Sequence, residues 1–332
     1  MRLLRAAELL ALTGEPNLAD VDLERHALAL STADGASLDD ADRQRLAEWL
    51  QRQPIPVVGL ADGGPAPLND CVDVLVHSDD ELARLLQRIS RRPNACAVLV
   101  QVLRAMGSLS VAQGLMLESL GYATLQSGSE FAEWLAGEGA EYRAKVGKAE
   151  RVAPVLLNRQ GHTLEVVLNS PGDRNALSVY MRDALSEAFK LVAMDTSVHR
   201  VEVSGNGPCF SAGGDLGEFG TAQDLAASHR IRMLRMPAQY LAPHAARYSF
   251  RVHRACIGAG IEMPAFARRI TATSDTVFQL PEVNMGLIPG AGGCVSIPRR
   301  IGRQRTAYMA IMGERVPAEV ALGWGLIDAI ED

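Results

Sequence analysis

Two glutamates, Glu262 and Glu282, stand twenty residues apart, and the company each keeps suits proton chemistry. The first closes Gly258-Ala259-Gly260-Ile261-Glu262; the second closes Gln279-Leu280-Pro281-Glu282. A third segment, Phe210-Ser211-Ala212-Gly213-Gly214-Asp215-Leu216, offers small residues where backbone can approach a reacting group. Two carboxyl groups in unlike surroundings can divide the roles of acid and base. Two backbone N–H groups aimed at one oxygen stabilise the negative charge that forms there, each by roughly 3 kcal/mol. Together they suit proton transfer at the carbon next to a thioester carbonyl, through an enolate.

Each signal has a plainer reading. A glycine-rich run by itself is a tight turn, and a lone glutamate near a helix start is a solvated charge. The phosphate-cradling pattern G-x-x-x-x-G-K-[ST] is absent, and Gly258-Ala259-Gly260 lacks the third glycine of a dinucleotide fingerprint. Glu262 departs from the solvated reading because Ile257, Ile261, Met263, Pro264 and Phe266 surround it in sequence. Burial there raises a carboxyl pKa. Glu282 is flanked by Pro281 and Val283, with Met285 and Leu287 close by. Asp215 is read as a helix cap.

The elements that must position these groups alternate between strand and helix, the mark of an α/β fold. Residues 155–157 and 164–168 read as a hairpin about Gly161. A helix is expected over 179–193, capped by Asn175 or Ser178, with Met181, Leu185, Phe189 and Val192 on one face. Short strands are expected at 201–203, 251–253, 269–273 and 277–280. Helices are expected at 258–268, from Gly293 to near Ile301, and at 304–312 and 318–323. Residues 216–248 hold no strand signal and read as a mobile loop-plus-helix lid.

The chain divides near residue 150. Residues 1–145 are read as a mainly helical domain and 150–332 as the unit that carries the site. In the first, helices are expected over 38–51 (Ser37 as cap), 80–91, 95–106, 110–125 and 130–134, with a buried strand at 54–59. Their apolar stripes require a partner surface.

Composition limits the alternatives. A net charge of −6 and 5% aromatic residues disfavour a nucleic-acid binder. Five scattered cysteines without a C-x-x-C pair read as buried free thiols in a reducing compartment. No histidine pair suits zinc, and no metal is expected. The first ten residues read as a short amphipathic helix, not a signal peptide, and no apolar run of about 18 residues exists. The cytoplasm is the expected location, without membrane contact.

Residues 154–330 resemble the crotonase, or enoyl-CoA hydratase/isomerase, superfamily. The resemblance is collinear through Leu168-Asn169-Ser170-Pro171 with Asn175-Ala176-Leu177-Ser178, then Phe210 to Leu216, Gly258 to Glu262 and Phe278 to Glu282. It closes with Gly286-Leu287-Ile288-Pro289-Gly290-Ala291-Gly292-Gly293 and Gly323-Trp324-Gly325-Leu326-Ile327. It implies a spiral of ββα turns that binds an acyl thioester of coenzyme A, with no further cofactor, and acyl-CoA or fatty acid metabolism as the setting. It implies oxyanion-hole amides at Gly214 and Ala259, and coenzyme A contacts at Arg174, Asn175, Ala176 and Ala212. It assigns proton donation at Cα to Glu282 and the holding of water to Glu262. The implied reaction is hydration of a 2-enoyl-CoA by a lyase. The alternatives are an isomerase or other acyl-CoA enzyme, and a catalytically silent thioester-binding subunit. A homotrimer or dimer of trimers is the implied assembly.

Two departures stand out. His253-Arg254 occupies a place where the family has Asn-Gly or a similar pair, and a positive φ there would strain Arg254. Either the side chain points to solvent, or it faces an acidic acyl group. The chain also stops at Asp332, where family members continue with helices that cover the site. Residues 72–95, 114–119 and 129–131 resemble that tail. Residues 1–145 are therefore either a shrunken crotonase repeat that kept its terminal helices, or an unrelated helical cap.

Overall fold

The computed structural model describes residues 3–14, 26–143 and 153–332. Met1, Arg2 and the junction near residue 150 lie outside the described residues. No helix among the described residues is long and apolar enough to cross a membrane.

The second half is a coil of strands and helices. Its main sheet has six strands in the order Ala329–Ile330, Arg269–Ala272, Tyr248–Val252, Arg200–Gly205, Thr163–Leu168, Val155–Gln160. Only the last two pair antiparallel, as the expected hairpin; the other neighbours are parallel. Parallel neighbours need crossovers, and the intervening helices supply them. A smaller sheet is ordered Val316–Pro317, Val277–Gln279, Ala255–Ile257. Each turn of the coil thus places one strand in the large sheet and the next in the small one. Tyr248–Val252 passes to Ala255–Ile257, and one turn later Arg269–Ala272 passes to Val277–Gln279.

Local signals place the helices. Ser178 caps Val179–Met194 through the Met181 N–H, while Asn175 lies outside that helix. Val252 with Tyr248 and Phe250 faces inward, so that strand starts earlier than expected and ends before His253. The helix expected over 258–268 is only Ala259–Glu262, followed by a 3-10 turn at Pro264–Phe266. Pro264 has no N–H to continue the ladder. Residues 216–248 hold helices Leu225–Arg235 and Ala238–Leu241, the first capped by Asp224.

The first half is helical with a small parallel sheet, Leu28–Ser31, Val57–Leu60 and Val74–Val76. Helix Asp40–Arg52 is capped by Asp39, not Ser37, which lies in the preceding 3-10 turn. Ser78 caps Asp79–Arg91, and Ser110 with Gln113 forms a capping box on Val111–Gln126. Two apolar cores result among the described residues. Ala6, Leu9, Leu28, Leu46, Trp49 and Val57 belong to one around the small sheet. Leu85, Ile89, Leu99, Leu115 and Phe131 instead join Ile288, Cys294 and Val295 in the core of the coil. The apolar stripes of helices 79–136 find their partner surface there.

Arg254 occupies the corner between the two sheets, with φ +60. Its carbonyl accepts the Val277 N–H and its guanidinium meets Asp275, 2.9 Å away, in the next turn of the coil. The side chain is 68% exposed, so the pair is worth at most about 1 kcal/mol. The left-handed backbone costs about as much for a residue with a Cβ. Arg254→Gly is therefore expected to change the free energy of urea unfolding by less than about 1 kcal/mol, the strain relieved offsetting the pair lost. A loss above about 3 kcal/mol would mean that the arginine holds the coil together.

Candidate active site

The two glutamates hang from neighbouring strands. Ala255–Ile257 pairs in parallel with Val277–Gln279, Ile257 opposite Gln279. One turn of the coil therefore separates the glutamates, which explains their spacing in sequence. Glu262 lies at the end of helix Ala259–Glu262, and Glu282 begins a 3-10 turn, Glu282–Met285.

Gly258 brings them together. Its backbone, φ +48 and ψ −121, suits no other residue, and its N–H donates to the Gln279 carbonyl at 2.8 Å. A Cβ there would collide with Glu282 Oε1. Gly293 does the same for Glu262, since a Cβ would come 2.6 Å from its Cγ.

Both carboxyls are buried, Glu262 2% and Glu282 8% exposed, in unlike surroundings. Glu262 Oε2 accepts the N–H groups of Ala291 at 2.7 Å and Gly293 at 2.9 Å. Burial pushes its pKa up to about 7, against the pull of those N–H bonds and of Arg232. Glu282 Oε2 is buried and meets no donor among the described residues. Burial first, then the neighbouring Glu262, hold Glu282 well above the ordinary carboxyl range.

The expected oxyanion donors lie beside them. Neither the Gly214 nor the Ala259 N–H donates to any acceptor among the described residues, and both residues line the cavity that holds the glutamates. That cavity measures about 370 Å³ and is also bounded by Tyr122, Phe219, Ile231, Arg232 and Met236. Asp215 does cap the next turn, accepting the Gly217 N–H at 2.9 Å.

Arg174, Asn175, Ala176 and Ala212 do not line the cavity, although their neighbour Leu177 does. Arg174 and Asn175 adopt consecutive left-handed conformations, φ +53 and +52. Asn175 is used up internally. Its Oδ1 accepts the Ser170 N–H, and its Nδ2 donates to the carbonyls of Asn206, Cys209 and Phe210. The Ala212 N–H donates to the Arg174 carbonyl at 3.0 Å, and the Leu177 N–H to the Gly213 carbonyl at 2.7 Å. The turn and the glycine-rich segment are thereby laced into one unit. The Arg174 side chain is exposed. Arg254 is outside the cavity, at its corner with Asp275.

Three residues of the site escaped the sequence reading. Glu118 and Tyr122, from helix Val111–Gln126, reach the glutamates from the first half of the chain. Glu118 accepts the Gly292 N–H at 2.7 Å and the Cys294 N–H at 2.8 Å, and burial and Glu262 raise its pKa. Tyr122 lies flat against Gly290, where a Cβ would clash with its ring. The third is Arg232, whose guanidinium stacks 3.9 Å above the Tyr122 ring. A signal for Glu118 was present: a carboxylate amid Gly114, Leu115, Met116 and Leu117, the same reasoning applied to Glu262.

Two expectations follow. Gly258→Ala is expected to lower kcat at least tenfold and to cost about 2–4 kcal/mol in denaturant unfolding, from strain and from displacement of Glu282. Full activity in that variant would show that Glu282 need not sit there. The second concerns pH. Between the unfolded value of 4.5 and about 7, native Glu262 keeps a proton that the unfolded chain has released. That carboxyl therefore favours the native state at acid pH, and the contribution fades as pH rises through about 7. Unfolding free energies of Glu262→Gln minus the unaltered chain should rise by roughly 3 kcal/mol from about pH 4.5 to about pH 8. A flat difference would remove the buried proton.

Residues 158–331, just over half of the chain, match the family profile described as enoyl-CoA hydratase/isomerase. The 2,3-dehydroadipyl-CoA hydratase of Escherichia coli (strain K12) is 30% identical over 179 residues, 54% of this chain and 69% of that protein. The mitochondrial Delta(3,5)-Delta(2,4)-dienoyl-CoA isomerase of Homo sapiens is 29% identical over 190 residues, 53% of this chain. The match spans only 57% of that isomerase's own length. Among solved structures, an enoyl-CoA hydratase/isomerase from Marinobacter aquaeolei is similar with a TM-score of 0.50 at 25% identity. That likeness covers 55% of this chain and 71% of the other.

Proposed function

We propose that this chain, which belongs to the enoyl-CoA hydratase/isomerase family, hydrates a 2-enoyl-CoA as a lyase that needs no cofactor beyond the coenzyme A of its substrate. The observation that carries this reading is the unlike setting of two adjacent buried carboxyls. Glu262, held by two N–H groups and drawn down by Arg232, is the one that ionises near neutral pH. Glu282, with an unpartnered oxygen beside Glu262, is the one that keeps its proton.

The reaction then proceeds as follows. The free N–H groups of Gly214 and Ala259 donate to the thioester oxygen and stabilise the enolate. Ionised Glu262 takes a proton from water as the water oxygen bonds to Cβ. Protonated Glu282 gives its proton to Cα. One water O–H bond breaks, a C–O and a C–H bond form, and the C=C bond becomes single. Glu262 ends protonated and Glu282 ionised, and a proton passed between them resets the pair.

Coenzyme A is assigned to the turn Arg174-Asn175-Ala176 and to Ala212. The exposed Arg174 guanidinium is available to a phosphate, and buried Asn175 holds the turn in shape. Residues 1–145 are assigned the role of covering the site. The shared core and the reach of Glu118 and Tyr122 support that role. An assembly of three copies, or two such trimers, goes with the reading. The edge strand Val155–Gln160, with Leu156 and Leu157 exposed, is a surface that assembly would cover. Five free thiols suit a reducing compartment such as the cytoplasm.

The second reading is isomerisation, with Glu282 alone moving a proton; its unpartnered oxygen favours it. Crotonyl-CoA and longer 2-enoyl-CoAs are expected to lose the absorbance of the conjugated thioester when incubated with the protein. Glu262→Gln and Glu282→Gln should each lower kcat by about 100-fold or more. For the unaltered protein, kcat/KM should climb as pH rises through about 7, where Glu262 ionises. Activity untouched by both substitutions sinks the mechanism. Acyl-CoA binding without turnover of 2-enoyl or 3-enoyl thioesters would instead make the chain a silent thioester-binding subunit.

A further inference from the structure

Arg232 helps to lower Glu262 from a distance, but no role in the mechanism or the fold uses its N–H groups. It sits on helix Leu225–Arg235, whose side chains face helix Val111–Gln126 of the first half. Its guanidinium lies flat on Tyr122, with Cζ 3.9 Å from the ring centroid. Stacking occupies the face of the group and not its N–H edge. On that edge Nη2 makes one long hydrogen bond to Gln126 Oε1, at 3.4 Å. Nε is buried and donates to nothing among the described residues.

A surface arginine with a spare N–H is unremarkable, because water takes it. Arg232 is only partly buried, but its Nε is sealed from water without an acceptor, which is costly, and a ligand that accepts that N–H would remove the cost. Charge compensation of the glutamates is the competing explanation. Arg232 does lower Glu262 and Glu118 through space. It nevertheless forms no ion pair within 4.0 Å among the described residues. The other cavity arginine, Arg182, is satisfied by Asp183 through both Nε and Nη2. Arg232 lines the cavity and keeps an unused Nε beside an Nη2 that only Gln126 holds, the fork that takes both oxygens of a carboxylate once Gln126 gives way.

We propose that Arg232 is a specificity-determining residue that binds a carboxylate at the far end of the acyl chain, so that the substrates are thioesters of dicarboxylic acids. Tyr122 and Gln126 hold the guanidinium in place from the first half of the chain. The inference rests on the acyl-thioester reading of the cavity but not on hydration. An arginine facing an acidic acyl group was one expectation for position 254; the cavity instead holds position 232.

The test uses binding of saturated thioesters, which involves no turnover. Succinyl-, glutaryl- and adipyl-CoA are compared with butyryl-, valeryl- and hexanoyl-CoA by calorimetry on the full chain. At least one carboxylated thioester should bind about tenfold or more tightly than its unsubstituted counterpart, as one buried charge-assisted fork provides. Arg232→Gln should abolish that preference and leave the unsubstituted series within about twofold. Arg232→Lys, which keeps the charge, should retain part of the preference. The comparison on the unaltered protein stands even where a variant fails to fold. Equal binding of both series overturns the proposal, as does a preference that survives Arg232→Gln. An equal loss for both series in that variant, with a shifted pH profile, makes Arg232 a compensator of Glu262 and also overturns it. Hydration without carboxylate preference leaves the hydratase reading intact. Carboxylate-dependent binding without hydration leaves this proposal standing and sinks that reading. Binding of neither series sinks both.

Discussion

Four consecutive amides are shared between two carboxylates from opposite halves of the chain. Ala291 and Gly293 donate to Glu262, while Gly292 and Cys294 donate to Glu118. Gly292 is left-handed, φ +105, and helix Gly293–Ser296 starts directly after it, so these are the unpaired N–H groups of a helix start, divided between the two glutamates. Much else depends on this clasp. It fixes the oxygen of Glu262 relative to Glu282, fills the donors at the start of helix Gly293–Ser296, and pins helix Val111–Gln126 onto the coil. Glycines at 290, 292 and 293 are what allow Tyr122, Phe266 and Glu262 to close on the backbone. Losing Glu118 would leave two buried N–H groups unmet, a cost of several kcal/mol.

The first half of the chain therefore supplies side chains to the cavity and to its support. Gly286 makes the same point from the other side. A Cβ there would strike the backbone of Glu130 and Phe131, so helix Ser129–Ala136 rests directly on the turn that carries Glu282. Arg92 adds a hydrogen bond to the Asn284 carbonyl in that turn. Both buried glutamates are thus buttressed by helices that precede them by more than a hundred residues.

The sequence made some of this legible and hid the rest for identifiable reasons. The hairpin, the helix capped by Ser178 and the helices of the first half follow local periodicity and capping, and they appear as expected. The helix expected over 258–268 was cut short because Pro264 outweighed an apolar run. Ser37 looked like a cap, but Asp39, two residues on, has the extended backbone and accepts the Asp42 N–H. The strain at Arg254 was readable because one residue sat where a glycine conformation was required. The role of Arg232 was not, because its meaning depends on Tyr122, 110 residues away, and no periodicity records a stacking partner. Glu118 lay between these cases: its apolar neighbours announced burial, and only the fold could say which amides it would meet.

The clasp also has a consequence in time. Glu118 and the Gly292 amide that donates to it are separated by 174 positions. At roughly 5–20 residues per second, a ribosome needs on the order of ten seconds or more to deliver the second after the first. Through that interval helix Val111–Gln126 has left the ribosome with an apolar face, a carboxylate and a tyrosine for which no surface yet exists. The half that completes the site is synthesised first and waits. A nascent chain of this kind is a natural client for a chaperone that shields apolar helices, and it is most exposed to aggregation just before its last turns are made.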